Sequence, residues 1–411
     1  MHWLSSHNRS EFLACPQLIR FEYANGRDGF EPTLLIKGST VLLKYAVLGA
    51  PMQLAFAMCG GRLLYALKVC DDGNDGGILW SIVERDEELN GIRGLGGGEQ
   101  LVAFLFNELA VNVAWNDLPS LGELDRLATW TDSVALGRVD HAAMRATVGP
   151  MIDRLHKSGV NDGEWLVLEV GRRSDWKAVQ NHFITAGASS SLINLFDGDE
   201  GNQQEQLGIW LTDNLQPLGV HHSPQIPKGA GTRELTDILL SYEFGAVLIE
   251  SKTLSVLARE RLPNRAKLKR DVARHIGKAF GQLRGAIRKL KSGAAVTSQT
   301  GASIEVEREN SVHAIVLVPE LDLVDDHDAY DIEFMKEFMR ATGGFAHLLD
   351  IAELLRIVQA AEMIAARSQT TTPMMAFDYY LMERAKKAAE AGTLCIHVLL
   401  RFADDEAKET E

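Results

Sequence analysis

The segment that most constrains this chain is Ala246-Val247-Leu248-Ile249, which runs directly into Glu250-Ser251-Lys252. Four consecutive apolar residues bounded by turn signals predict a strand covered on both faces, too apolar for an exposed hairpin. Side chains alternate along a strand, so Glu250 and Lys252 share one face and Ser251 takes the other. Charged groups at the end of a buried strand are costly unless paired or bound to metal. A second predicted strand, RELTDILLSY, precedes the first after a short turn and carries Asp237 toward the same place. Two carboxylates and an ammonium are thereby expected to converge.

Phosphodiester hydrolysis uses groups of these types. Carboxylate oxygens hold Mg²⁺ through one or two ligands, and water and phosphate complete the octahedron. A lysine beside the ion can orient the attacking water and stabilise developing negative charge. Asp237 and Glu250 are therefore read as metal ligands, with the Ser251 carbonyl as a further one and Lys252 acting on the water. Mn²⁺ is an acceptable substitute for Mg²⁺. Glu234, three residues before Asp237, is expected on the opposite face of a regular strand and is a minor alternative ligand.

An acidic residue, a turn, a (D/E)xK tripeptide at a strand end and a basic helix together resemble the PD-(D/E)xK, or restriction-endonuclease-like, nuclease superfamily. The resemblance covers roughly residues 196–320. It implies an α/β fold with a mixed-sheet core and flanking helices, and metal-dependent cleavage of nucleic acid, DNA before RNA. It also implies a glutamate from the first core helix, matched here by Glu205, and a glutamine on the helix after the motif lysine, matched by Gln282. Thr236 stands where the superfamily name has proline. Restriction or phage defence fits the design by fold analogy alone. Many such nucleases dimerise to cut both strands, so a homodimer, or a protein partner held through the N-terminal region, is an expectation. The rival reading is a non-catalytic nucleic-acid-binding or scaffold protein on a degenerate nuclease fold.

Charge supports a polyanion partner only through its distribution. The net formal charge is −14. Residues 252–291 nevertheless hold thirteen Lys or Arg against two acids, Glu260 and Asp271. Lys267, Arg270, Arg274, Lys278, Arg284 and Arg288 are the candidate phosphate contacts. Their segment, LKRDVARHIGKAFGQLRGAIRKL, places Ile276, Phe280, Leu283, Ile287 and Leu290 at helical spacing.

A chain of 411 residues is long for one core. Residues 1–125 read as a β-rich α+β domain, 126–195 as a connecting α/β module and 196–411 as the nuclease-like domain with C-terminal helices. Helices are expected at EQLVAFLFNELA, HAAMRATVGPMIDRLHKSG, SDWKAVQNHFITA, QQEQLGIWLTDNLQPLG, DIEFMKEFMRAT, AHLLDIAELLRIVQAAEMIAARS and DYYLMERAKKAAEAG. Strands are expected at EWLVLEV, SVHAIVLVPEL and, at the end, TLCIHVLLRF. Glycine-rich GIRGLGGGE lacks the Lys-Ser/Thr of a phosphate loop and reads as a turn, and ASSSLINLFDGDEGN as a linker. The DGDEG segment lacks a calcium ligand at Gly201 and reads as a turn with a helix cap; the acids of VDDHDAYD cap the following helix. His221 and His222 are placed in a loop, His275 and His313 in packed surroundings, and Trp115, Trp130, Trp165 and Trp176 in the core.

Cys15, Cys59, Cys70 and Cys395 form no CxxC pair, so neither a zinc knuckle nor a disulfide framework is indicated. No apolar run spans a bilayer, and the first residues have no basic then apolar leader. A cytoplasmic protein without a membrane partner is the expectation.

Overall fold

The computed structural model describes residues 2–26, 29–71, 76–122, 124–157, 164–171, 175–185, 190–259, 262–324 and 328–397. The fold is mixed α/β. It divides into two compact units, one of Met1–Asn181, Asn194–Gly198 and Ser255–Lys267, the other of His182–Ile193, Asp199–Leu254 and Leu268–Glu411.

The first unit opens with α1 (Ser6–Ala14), β1 (Leu18–Asn25), β2 (Phe30–Lys37), α2 (Thr40–Val47), β3 (Met52–Cys59), β4 (Arg62–Cys70) and β5 (Gly76–Ile82). It continues with α3 (Asp86–Gly96), β6 (Leu101–Phe106), β7 (Asn112–Leu118), α4 (Asp125–Thr131), α5 (His141–Lys157), β8 (Leu166–Val170) and β9 (Lys177–Ala178). Its strands form two sheets, ordered β1-β2-β6-β7-β9 and β5-β4-β3-β8. Val148, Met151 and Leu155 of α5 pack with Trp165 against Ala55, Leu64 and Ala66 of the second sheet. Phe12 of α1 packs on Leu18, Leu35 and Phe106 of the first.

Three expectations fail here. EQLVAFLFNELA holds β6, because its apolar run Leu101–Phe106 is short and pairs on both sides, parallel to β2 and antiparallel to β7. GIRGLG belongs to α3, where Gly91 lies so close to the Glu22 carbonyl that a Cβ would meet it at 2.5 Å. The segment SDWKAVQNHFITA carries β9 and β10 (Asn181–Ile184) in place of a helix; Val179 continues the β7 edge, its N–H donating to the Val113 carbonyl. Trp165 and Trp176 are buried as expected, whereas Trp115 and Trp130 are half-buried.

The second unit contains β10, β11 (Ser190–Ile193), α6 (Glu200–Asp213), β12 (Gly219–His222), β13 (Gln225–Lys228), β14 (Gly231–Glu234), β15 (Ile238–Tyr242) and β16 (Gly245–Ser251). There follow α7 (Arg265–Lys291, its first three residues counted with the first unit), β17 (Val296–Thr297), β18 (Ser303–Ile304), β19 (His313–Val318), α8 (Ile332–Thr342), β20 (Phe345–Asp350), α9 (Ile351–Ala366) and α10 (Pro373–Ala391). The main sheet is ordered β12-β15-β16-β19-β20 and is mixed: β12, β15 and β16 run antiparallel in turn, while β16, β19 and β20 are parallel. Every residue of β16 and β19 is buried, as continuous apolar runs require. The hairpin β13–β14 belongs to a smaller sheet with β17 and β18.

Helix ends follow the sequence closely. Asp199 caps α6, Asp331 caps α8 and Thr372 caps α10 ahead of Pro373. Gly343, at φ 64°, ends α8 in the left-handed conformation. The predicted helix AHLLDIAELL is instead strand β20 followed by α9. Ala346–Leu349 are buried beside β19, which pulls the segment into the sheet, and Asp350 then starts the helix. LINLFDGDEGN includes the end of β11, and TLCIH forms no strand; residues 398–402 of the expected last strand, and Asp325, Asp326 and His327 of the acidic cluster, lie outside the described residues.

At the opposite end of the main sheet from Glu250, His313 and His347 are buried side by side, His313 Nδ1 being 2.9 Å from His347 Nε2. His313 Nε2 is 3.3 Å from Asp378 of α10, and the Tyr242 hydroxyl donates to the same carboxylate at 2.6 Å. No helix of the described residues is long and apolar enough to cross a membrane.

Asp350 makes a sharp test of the β20–α9 junction. Its Oδ1 accepts from the Glu353 N–H at 2.8 Å and its Oδ2 from the Leu321 N–H at 3.1 Å. Asp350→Ala should lower unfolding free energy by about 1–2 kcal/mol in urea titrations, and Asp350→Asn should recover most of it.

Candidate active site

The antiparallel register sets Ile238 opposite Ile249, so Asp237, just before β15, comes level with Glu250 near the end of β16. Thr236 fixes this entry: its hydroxyl donates to the Ile249 carbonyl at 2.8 Å, a bond that proline could not make. The Ser251 N–H donates to Asp237 Oδ2 at 2.6 Å. The Lys252 ammonium donates to Glu250 Oε2 at 2.8 Å and reaches Asp237 Oδ2 at 3.4 Å. The Lys252 N–H donates to the Leu317 carbonyl at 2.8 Å, which pins the strand end to β19. Asp237, Glu250 and Lys252 are thus brought together as expected.

On the far face, the Ser251 hydroxyl accepts from the buried Gln204 amide at 2.9 Å, and Gln204 also donates to the Leu317 carbonyl at 3.1 Å. Gln204 was not a sequence candidate. A glutamine on the helix before the motif strand carries no distinct signal until the serine is known to face it. The next residue, Glu205, bonds His222 Nε2 at 2.9 Å. His221 and His222 lie on edge strand β12, not in a loop; His221 meets Ser241 Oγ at 3.2 Å, while His222 joins the acidic cluster. Their alternation on a strand would have separated the two, had β12 been read from the short GVHH stretch.

Glu234 corrects a second expectation. It ends β14 in a different sheet from Asp237, so simple alternation does not apply. Its charge is felt at Glu250, and it feels Asp237 and Glu205.

Electrostatics separate these groups. Burial, then the Asp237 charge, pushes the Glu250 carboxyl up to about 7, against the opposing pull of Lys252. Burial also raises Asp237, with Glu205 adding, against Lys252 and the Ser251 N–H. Burial disfavours the Lys252 charge, but the two carboxylates outweigh it and hold the ammonium above its ordinary range. The hydrogen bond that His222 donates to Glu205 raises the imidazole above its ordinary range. Among the described residues, no three His, Cys, Asp or Glu groups form a metal-holding set on their own. The donors present fit an ion held by one or two carboxylates with water and phosphate filling the rest, the usual manner for Mg²⁺.

The basic helix divides by face. Ile276, Phe280, Leu283, Ile287 and Leu290 are buried as its spacing requires. Lys267, Arg270, Arg274, Lys278 and Arg288 are exposed, Arg274 being 3.0 Å from Asp271. Arg284 leaves that group: its guanidinium lies over Phe334 and Phe338 of α8 and meets Glu337 at 3.1 Å, because position 284 falls on the helix flank turned to α8. Gln282 lines a cleft with Glu234 and makes no hydrogen bond to Asp237, Glu250 or Lys252. His275 sits near Lys252 and bonds the Thr253 backbone, so α7 passes this end of the sheet.

No family model, curated protein or solved structure matches the chain.

The raised Glu250 sets a direction for stability. The carboxyl keeps its proton in the folded protein up to about pH 7, but loses it near its ordinary value of roughly 4.3 in the unfolded chain. Folding then takes up a proton between the two values. The contribution is complete at acid pH and is lost as pH rises through about 7. Without metal, Glu250→Gln should be more stable than wild type at pH 8, by at most about 4 kcal/mol. The difference should shrink toward pH 5 in chemical denaturation run at both pH values.

Proposed function

We propose that the second unit is a metal-dependent nuclease of the PD-(D/E)xK type, hydrolysing phosphodiester bonds in nucleic acid, DNA in the first place. The observation that carries this reading is the contact of Lys252 with both Asp237 and Glu250 at the end of a fully buried strand. The resemblance implies a helix, three or four mixed strands, a helix and a strand, and the reading is supported by the order α6, the main-sheet strands β12, β15 and β16, then α7 and β19, with the smaller sheet's strands between them.

Asp237 and Glu250 would hold Mg²⁺ or Mn²⁺, with the Ser251 carbonyl and Glu205 as further oxygen donors. The bound ion would neutralise phosphate charge and acidify a bound water. Lys252, held as an ammonium by its two carboxylates, is a donor and not a base in this state. Its role is to orient the attacking water and to oppose negative charge as it develops. Glu250 changes protonation near neutrality, so the site accepts a cation more readily as pH rises through about 7. Phage defence or restriction is the biological setting that the design suggests by analogy.

One observation favours the non-catalytic alternative. Lys252 already neutralises part of the carboxylate charge, and no ready three-ligand set accompanies it among the described residues. A fold that binds nucleic acid through α7 alone would keep such an arrangement as an ion pair.

Cleavage of plasmid and single-stranded DNA, with and without Mg²⁺ or Mn²⁺, separates the readings. Wild type should cut only with metal, and Lys252→Ala should lose at least about a hundredfold in rate while keeping its circular dichroism spectrum. Salt-sensitive binding without cutting would favour the non-catalytic reading, and absence of both would end the nucleic-acid reading.

A further inference from the structure

Beside the carboxylates lies a cleft of about 370 Å³, lined by Arg233, Glu234, Lys278, Gly281, Gln282 and Gly285. Arg233 comes from β14, and the last four from the exposed side of α7. Among the described residues neither Arg233 nor Lys278 has an ion pair, so two cations face this space without a partner. Gln282 adds an amide that can donate two hydrogen bonds. Gly281 and Gly285 add no side chain, and a Cβ at either would meet nothing within 4 Å. The helix wall is therefore bare backbone between two donors, open to close approach by a ligand. Glu234, on the rim, is near enough for its charge to act on Glu250.

We propose that this cleft seats a phosphate of a single nucleic-acid strand next to the one being cut, with Arg233 and Lys278 as its charged contacts and Gln282 as a neutral donor. The inference rests on the nuclease reading and adds a strand preference to it. The volume takes one nucleotide unit, and a flexible single strand can turn its backbone into it without a paired strand having to follow. Glu234 at the mouth disfavours a phosphate placed on the carboxylate side and leaves the Arg233–Lys278 side as its seat. Arg270, Arg274 and Arg288 lie on the same exposed helix and extend the cationic track beyond the cleft.

The test is binding, without divalent metal, of a short fluorescein-labelled single-stranded oligodeoxynucleotide across a salt series, with the duplex of the same sequence alongside. Arg233→Gln with Lys278→Gln should weaken single-strand binding and lower the slope of log affinity against log salt by about 1.4, the amount for two lost contacts. Gly281→Leu should weaken it by filling the cleft, at an unchanged or higher melting temperature, since an exposed helical glycine is being replaced. Lys336→Gln, on exposed α8, controls for a general charge effect and should change neither value. If wild type binds the oligonucleotide but both cleft variants bind with the same affinity and slope, the subsite is wrong and the nuclease reading stands. Equal loss of duplex binding would overturn the strand preference. If wild type binds neither probe at low salt, the subsite and the nuclease reading fall together.

Discussion

The arrangement of the second unit hangs on one charged contact. Glu250 is 1% exposed at the end of a strand whose other residues are also buried. Without a metal ion, a carboxylate in that position is protonated, paired or exposed by unfolding. Here the first two are mixed. Lys252 supplies the pair, and burial, with the neighbouring Asp237 carboxylate adding to it, leaves a proton held to near neutrality. Everything around the site restrains these groups. Thr236 locks the incoming strand to β16, Gln204 ties Ser251 to α6, and the Lys252 N–H is tied to β19. The three side chains are aimed by backbone and second partners, not by their own attraction alone.

Much of this was legible because strands buried on both faces announce themselves. The AVLIES and HAIVLV runs leave no polar face, and the alternation that separates Glu250 and Lys252 from Ser251 is a property of any strand. The five apolar positions of α7 recur at helical spacing and are all buried. What stayed hidden was decided by tertiary pairing. FAHLLD has leucines and an alanine that suit a helix as well as a strand; it became β20 because β19 offers a parallel edge beside it. LVAFLF in the first unit went the same way, paired on both sides by β2 and β7. Both segments are apolar runs too short for periodicity to decide.

Two site residues were misplaced for a different reason. Glu234 is only a minor alternative ligand if it and Asp237 share one strand, yet the chain changes sheet between them, with the Leu235 N–H donating to the Pro224 carbonyl. Arg284 looked like one more cation in a basic run. Charge composition cannot tell which flank of a helix meets a neighbour, and two phenylalanines of α8 made this arginine an aromatic-packed residue. A basic run identifies the helix; only the packing identifies which of its cations are free to meet a partner.

The buried imidazoles at the far end of the main sheet carry a consequence of their own. Asp378 is held ionised by His313 and Tyr242, so it can only accept, and His313 must carry a hydrogen on Nε2. The line from His313 Nδ1 to His347 Nε2 has room for one hydrogen. If His313 is neutral, His347 supplies it and is the Nε2 tautomer. If His313 is cationic, His347 accepts and is the Nδ1 tautomer. With both rings 2% exposed or less, no water can substitute on that line. The tautomer of β20 is therefore written by the charge on β19, and α10 is docked to the sheet through the placement of a proton as well as through its apolar face.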